Sequence, residues 1–305
     1  VGAGDDAVKQ RTARADARPE RRAFRAAAVH GEALALDPGA GGLIASVLRG
    51  AQPSPQAFGF YYDPPSRLRF DPESVEDGVA VLCVSGPLEH HDTGWCHSYE
   101  TIVRETRVAM TSGDVRAGAL RIDSPGGVAA GMGETHRAIR AIMRETGKPI
   151  YAFANEMAAS AAYSLASACR EVWTTPAGHI GSVGVILCTV DESAALDKMG
   201  VKIRYLVTGA RKADMHPGAP LTEEAIDVAQ AKVDKLGGQF FRSVAHARGK
   251  APGGAKLATP DAVKALQAGV FVGDDAVRVG LADGIASWAK FLGYVKAAAG
   301  APRAT

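Results

Sequence analysis

Aromatic residues are scarce in this 305-residue chain, at 6%, while 35 glycines and 47% hydrophobic residues are present. A core built on large rings is excluded, and abundant Ala and Gly suit closely layered helices and strands instead. Net charge is almost absent, 35 basic against 33 acidic residues, so nothing electrostatic argues for nucleic acid or an anionic membrane. No apolar run approaches the roughly 20 residues of a membrane span, and the N-terminus lacks the basic–apolar–small order of a secretory signal. A soluble, cytoplasmic chain is expected. The four cysteines, Cys83, Cys96, Cys169 and Cys188, show no CxxC or other metal spacing and read mostly as small core residues.

What is present falls into three parts. Residues 1–77 form an N-terminal arm and lead-in, partly flexible: an Arg-rich stretch to about residue 28, then a segment broken by Pro38, Pro53, Pro55, Pro64, Pro65 and Pro72. Residues 78–290 read as the compact domain, opening on the continuous apolar run from Gly78 to Gly86, as a fully buried strand does. Residues 291–305 read as a flexible tail. Within the domain, strands are expected at 117–123, 149–154, 171–175, 180–187 and 201–207, alternating with helices at 98–112, 129–146, from Ser160, and at 191–199. That order predicts an α/β fold. Thr222 is the expected N-cap of a long helix to Arg248, with acids in its first turn. The loop Glu89–His97 holds three histidines, but its spacing matches no familiar zinc pattern, and no metal or cofactor is expected.

Three stretches carry chemistry. Met157–Ser167 places Ser160 among small residues at a helix start, where unpaired N–H groups and the dipole favour a developing anion. Asp123-Ser-Pro-Gly-Gly127 is a tight turn closing a strand. Lys212 follows an apolar stretch and Gly209. A serine hydroxyl needs a base to take its proton. Histidine is the commonest, and His179 is the best placed of eight; a lysine serves if burial keeps its amine neutral, since desolvation disfavours the charge. Read singly, each stretch has a plain structural explanation: a turn, helix packing, a solvated charge.

Taken together, Leu120–Gly127, Ala158–Ser167, Ile180–Ile186, Gly209–Asp214 and Phe271–Gly284, in that order, resemble the signal peptide peptidase A family, which includes phage prohead proteases. The resemblance implies a Clp protease/crotonase-like fold of stacked β-β-α units and a soluble serine endopeptidase. Ser160 would be nucleophile and Lys212 general base, in a Ser-Lys dyad that acts within one subunit or between two, with a rate that rises with pH. The N–H groups of Gly127 and Ala161 would form the oxyanion hole, and Gly126, Val128, Ser182, Val183 and Gly184 would bind an extended peptide with small or apolar residues. Expected partners are a protein substrate, further copies in a homo-oligomer, and phage capsid or scaffold proteins in an assembling procapsid. Two rivals share the fold: a crotonase-type acyl-CoA enzyme using carboxylates, and a non-catalytic assembly protein.

Overall fold

The computed structural model describes residues 34–36, 68, 70–71, 75–92 and 96–300. Its centre is a mostly parallel sheet. Strand β2 (Val79–Ser85) pairs in parallel with β5 (Ala117–Ser124), and β5 with β7 (Ile150–Ala159). The first half of β7 continues onto β8 (Val172–Thr174) and its second half onto β9 (His179–Gly181). Antiparallel β10 (Val270–Val272) closes that edge, and β11 (Gly284–Ile285) adds to β8. A smaller sheet has the order β1 (Leu34–Leu36), β6 (Gly126–Val128), β3 (Leu88–Glu89), β4 (His97–Ser98). Because the central strands are covered on both faces, Ala119, Leu120, Ile122, Ala152, Phe153 and Ala154 are all fully buried, as a run without alternation requires.

Helices α1 (Tyr99–Thr111), α2 (Met132–Thr146) and α3 (Ala161–Ala168) pack on one face. Ser98 caps α1 by accepting from the Thr101 N–H, which satisfies one of the free donors of its first turn. Every residue of α3 is buried, and it is small enough to sit between the sheet, α2 and the long helix α5. The short α4 (Ser193–Lys198) precedes α5 (Glu223–Arg248), which Thr222 caps as expected. After α6 (Pro260–Lys264) and α7 (Asp274–Arg278), the chain ends in α8 (Trp288–Gly300).

This arrangement corrects several expectations. The stretch from residue 291 is no tail as far as Gly300: Phe291, Val295 and Ala299 of α8 are buried on the second face of the sheet against Val79, Ala117, Tyr151 and Phe153. Leu68 and Phe70 lie in the main core, so the packed unit begins ahead of residue 78. The remainder of residues 1–67 apart from β1, and residues 301–305, lie outside the described residues. Residues 201–207 form no strand and stay exposed or half-buried, pairing with none of the described strands. Of the cysteines only Cys169 is buried; Cys83 is exposed on the edge strand β2. No helix among the described residues is long and apolar enough to cross a membrane.

One buried group makes the packing of α2 on α3 sensitive to acid. His136, 3% exposed, donates from Nδ1 to the Ser164 carbonyl at 2.9 Å. Burial foremost lowers its pKa to about 4, with Arg140, His246 and Arg137 adding to the effect and the Ser164 carbonyl opposing it. The unfolded chain therefore binds this proton first as pH falls. The stabilisation is complete above the ordinary histidine value of about 6.5 and is lost between there and about pH 4. Urea unfolding from pH 7 to pH 4 should show an excess loss of about 3 kcal/mol in the wild type over His136→Gln. Identical slopes for the two chains would refute the assignment.

Candidate active site

The bulge that ends β7 sets the geometry. Ile122 of β5 pairs with Ala154, but Ser124 pairs with Ala158, so β7 carries extra residues between. The Asp123 carboxylate fills this bulge: Oδ1 accepts from the N–H groups of Glu156 at 2.7 Å and Met157 at 3.1 Å, and Oδ2 from the Asn155 side-chain amide. The strand is thereby turned from β8 towards β9, and its last residues lead straight into Ser160.

Ser160 sits between β7 and α3 with φ 54° and ψ −120°, a conformation a side-chain-bearing residue rarely adopts. Its N–H donates to the Gly181 carbonyl at 2.8 Å and its carbonyl accepts from Ser164, so the backbone is held at both ends. The Oγ is fully buried and makes no hydrogen bond. Such a hydroxyl loses its hydration without compensation and is primed for a partner. Behind it, Gly181 has φ 132°, and a Cβ there would lie 2.3 Å from the Gly269 carbonyl. Ser182, also at positive φ, donates its N–H to that same carbonyl.

Next to this turn lies β6, which touches α3. Gly126 has φ 104° and its N–H reaches Ser124 Oγ at 3.2 Å. A Cβ on Gly127 would meet the Leu88 carbonyl at 1.8 Å, so only glycine permits β3 this close. The Val128 carbonyl is fixed by the buried Tyr99 hydroxyl at 2.7 Å. The structure thus brings Ser160, Ala161 and β6 into one region. Asp123 and Tyr99, which position the parts, were not singled out in the sequence; the only signal was that Asp123 ends a strand just ahead of the glycine turn.

Other expected residues lie differently. Val183 is a core side chain at 2% exposure, so it could meet a peptide only through its backbone, while Gly184 is half-buried. His179 is exposed and makes no hydrogen bond to Ser160 Oγ. Lys212 is exposed in the 3-10 turn Ala210–Ala213 and is likewise not bonded to that Oγ. The turn is tied down by its neighbour Arg211, which pairs with Asp214 and Glu224. Asp191 anchors the base of the same segment, accepting from Ser193 and from the Leu221 N–H; these bonds lower its pKa. From Gly184 to Glu224 no residue is buried. His90, His91 and Glu100 place three ligand atoms within 4.8 Å of one another, with His91 Nδ1 at 2.9 Å from Glu100; two of the three are exposed.

Residues 142–301, just over half of the chain, match the model of peptidase family S49. The chain is 35% identical over 214 residues to the head-tail preconnector protein GP5 of Enterobacteria phage P21, covering 68% of this chain and 41% of that protein. It is 31% identical over 214 residues to the capsid assembly protease C of Escherichia phage lambda, covering 68% and 46%. Protease 4 of Salmonella typhi is 28% identical over 218 residues, covering 70% and 33%. The chain thus spans less than half the length of these relatives. Among solved structures, an enoyl-CoA hydratase/isomerase family member covers 78% of this chain and 79% of its own at 14% identity, with a TM-score of 0.44. That value carries no argument about activity.

The turn at Ser160 costs stability in two ways, through its positive φ and through its unpaired hydroxyl. Ser160→Gly relieves both, offset in part by the entropy of glycine, and should raise the unfolding free energy by about 1 kcal/mol. Ser160→Ala relieves only the second and should fall between that variant and the wild type in urea unfolding. A glycine variant less stable than the wild type would show that the turn is not strained.

Proposed function

Because the chain belongs to peptidase family S49, we propose that it is a serine endopeptidase working through a Ser-Lys dyad, with Ser160 as nucleophile and Lys212 as general base. The observation that carries this reading is the buried, unbonded Ser160 Oγ on a strained strand-to-helix turn. In that setting the hydroxyl awaits a base and a carbonyl instead of filling a structural role.

The neutral Lys212 amine accepts the Ser160 proton as Oγ attacks the peptide carbonyl carbon. The charge that develops on the carbonyl oxygen is met by the N–H groups of Ala161, at the start of α3, and of Gly127 in β6. Lys212 then returns the proton to the leaving amine as the C–N bond breaks, and water, deprotonated by the same amine, hydrolyses the ester. Gly126 and Val128 along β6, with Ser182, Gly184 and the backbone of Val183, hold the substrate extended.

Lys212 reaches Ser160 from a second copy in this reading. Its segment carries no buried residue, and Met199 and Leu206 are 68% and 91% exposed. Apolar side chains left in water over such a length are matched by an interface with another subunit. A homo-oligomer therefore completes the site and shields the lysine amine. The phage relatives, one named a capsid assembly protease, support capsid or scaffold proteins as substrates and an assembling procapsid as the place of action.

Ser160→Ala and Lys212→Ala should each lower cleavage of a denatured protein substrate at least about a thousandfold, read by intact-mass spectrometry. Mixing the two inactive chains should restore part of the activity, since each supplies what the other lacks. Undiminished cleavage by Ser160→Ala would overturn the peptidase reading in this form. An inactive mixture of well-assembled chains would place Lys212 in the same subunit as its serine.

A further inference from the structure

β6 has two edges. One is taken by β3; the other is taken by β1, which runs antiparallel with Leu34 opposite Val128, Ala35 opposite Gly127 and Leu36 opposite Gly126. Without β1, this second edge would be an open row of backbone groups directly beside the Ser160 turn. The sequence of pairings fixes that closeness: Ser124, two residues before β6, pairs with Ala158, two residues before Ser160. An open strand edge takes up extended polypeptide by backbone hydrogen bonding, with side-chain types setting preference. Ser160 is itself 0% exposed, so a peptide carbonyl gains access only when covering chain moves away.

We propose that Leu34–Leu36 is a built-in occupant of the peptide-binding edge, a segment of the chain that lies where substrate must lie and competes with it. The word substrate rests on the peptidase reading above; the pairing of β1 with β6 does not. The segment also indicates what the edge accepts: uncharged, extended backbone of alternating Leu, Ala and Leu, with the small residue opposite Gly127. The chain from 37 to 67 would span on the order of 100 Å when extended, ample for β1 to leave while β2 stays in place. A tethered competitor acts at an effective concentration in the millimolar range, so free peptide meets a standing barrier until β1 is displaced.

The test uses the full chain. Ala35→Pro and Leu36→Pro each place a proline ring and its fixed φ in the paired strand, and because neighbouring residues donate to β6 alternately, one of the two also removes a ladder donor. In a Ser160→Ala background, where no cleavage intervenes, amide hydrogen exchange at Gly126–Val128 should be at least about tenfold faster in both proline variants, with exchange in β5 and β7 unchanged. A synthetic peptide with the sequence of residues 32–37 should restore protection in the variants and leave the parent unaffected. In the chain that retains Ser160, both variants should lower KM for a peptide substrate about tenfold with kcat unchanged. Equal exchange at Gly126–Val128 in parent and variants would overturn the proposal, as would faster exchange with an unaltered KM. If exchange rises and the peptide rebinds, while the chain that retains Ser160 cleaves no peptide with or without the proline substitutions, occupancy of the edge stands and the peptidase reading falls.

Discussion

The backbone of Ser160 is the constraint on which the neighbouring structure depends. A positive φ at a residue with a side chain persists only where its surroundings over-determine it. Here the strand before, the helix after and the Gly181 carbonyl do so together. Close approach on every side then demands small residues, and Ala158, Ala159, Ala161 and Ala162 are all fully buried. The same demand reaches Gly181 and Gly127, where any Cβ would strike a carbonyl of the next strand or loop. The bulge filled by Asp123 lies just ahead of the turn, where β7 passes from pairing with β8 to pairing with β9.

A second anchor holds the first turn of α3. Arg248 and Asp283 form a buried ion pair at 2.6 Å, with side chains 1% and 3% exposed. Asp283 also accepts from the N–H groups of Val172 and Gly253, and Tyr163 of α3 donates to the Leu281 carbonyl. Every lone pair that burial strips of water thus has a donor, which is the condition for a buried pair to be tolerated. One carboxylate ties β8, the end of α5 and the loop before β11 into a frame. Helix α3 cannot slide within that frame without breaking it. Ser160 leads directly into that restrained helix.

Much of this was legible in the sequence because it depends on short-range rules. The apolar run of β2, the small-residue run of α3 and the Thr222 cap each express a local preference, and each lies where the pattern put it. What failed depends on partners that are distant in sequence. Val201–Val207 has the composition of a strand but pairs with none of the described strands, so composition alone misled. The run 180–187 holds a strand only to Gly181, because Ser182 turns at positive φ to bond with Gly269. Residues 291–300 read as a tail through their Ala and Gly content, yet Phe291 and Val295 find a cluster of rings on the far face of the sheet. The site divides in the same way. Ser160 and Gly127 stand in local motifs, whereas the tertiary role of Asp123 shows only once two strands are side by side.

The rigid frame and the exposed segment from Gly184 to Glu224 belong to different physical regimes. The frame has a packed core; the segment is held mainly by its own hydrogen bonds, such as Tyr205 to His216 at 2.6 Å and Glu192 N–H to Pro217. A chain that left all this apolar surface to water would lose the stabilisation its burial could provide, roughly 25 cal/mol for each Å². The same segment carries Lys212, and the same frame presents Ser160 with its hydroxyl unbonded. In the proposed dyad the nucleophile would stand on the restrained part and the base on the unsatisfied part, which would separate folding from activity. In that scheme the fold can form first with its hydroxyl inert, and the reaction becomes possible only when a contact between copies covers the apolar segment and brings the amine in.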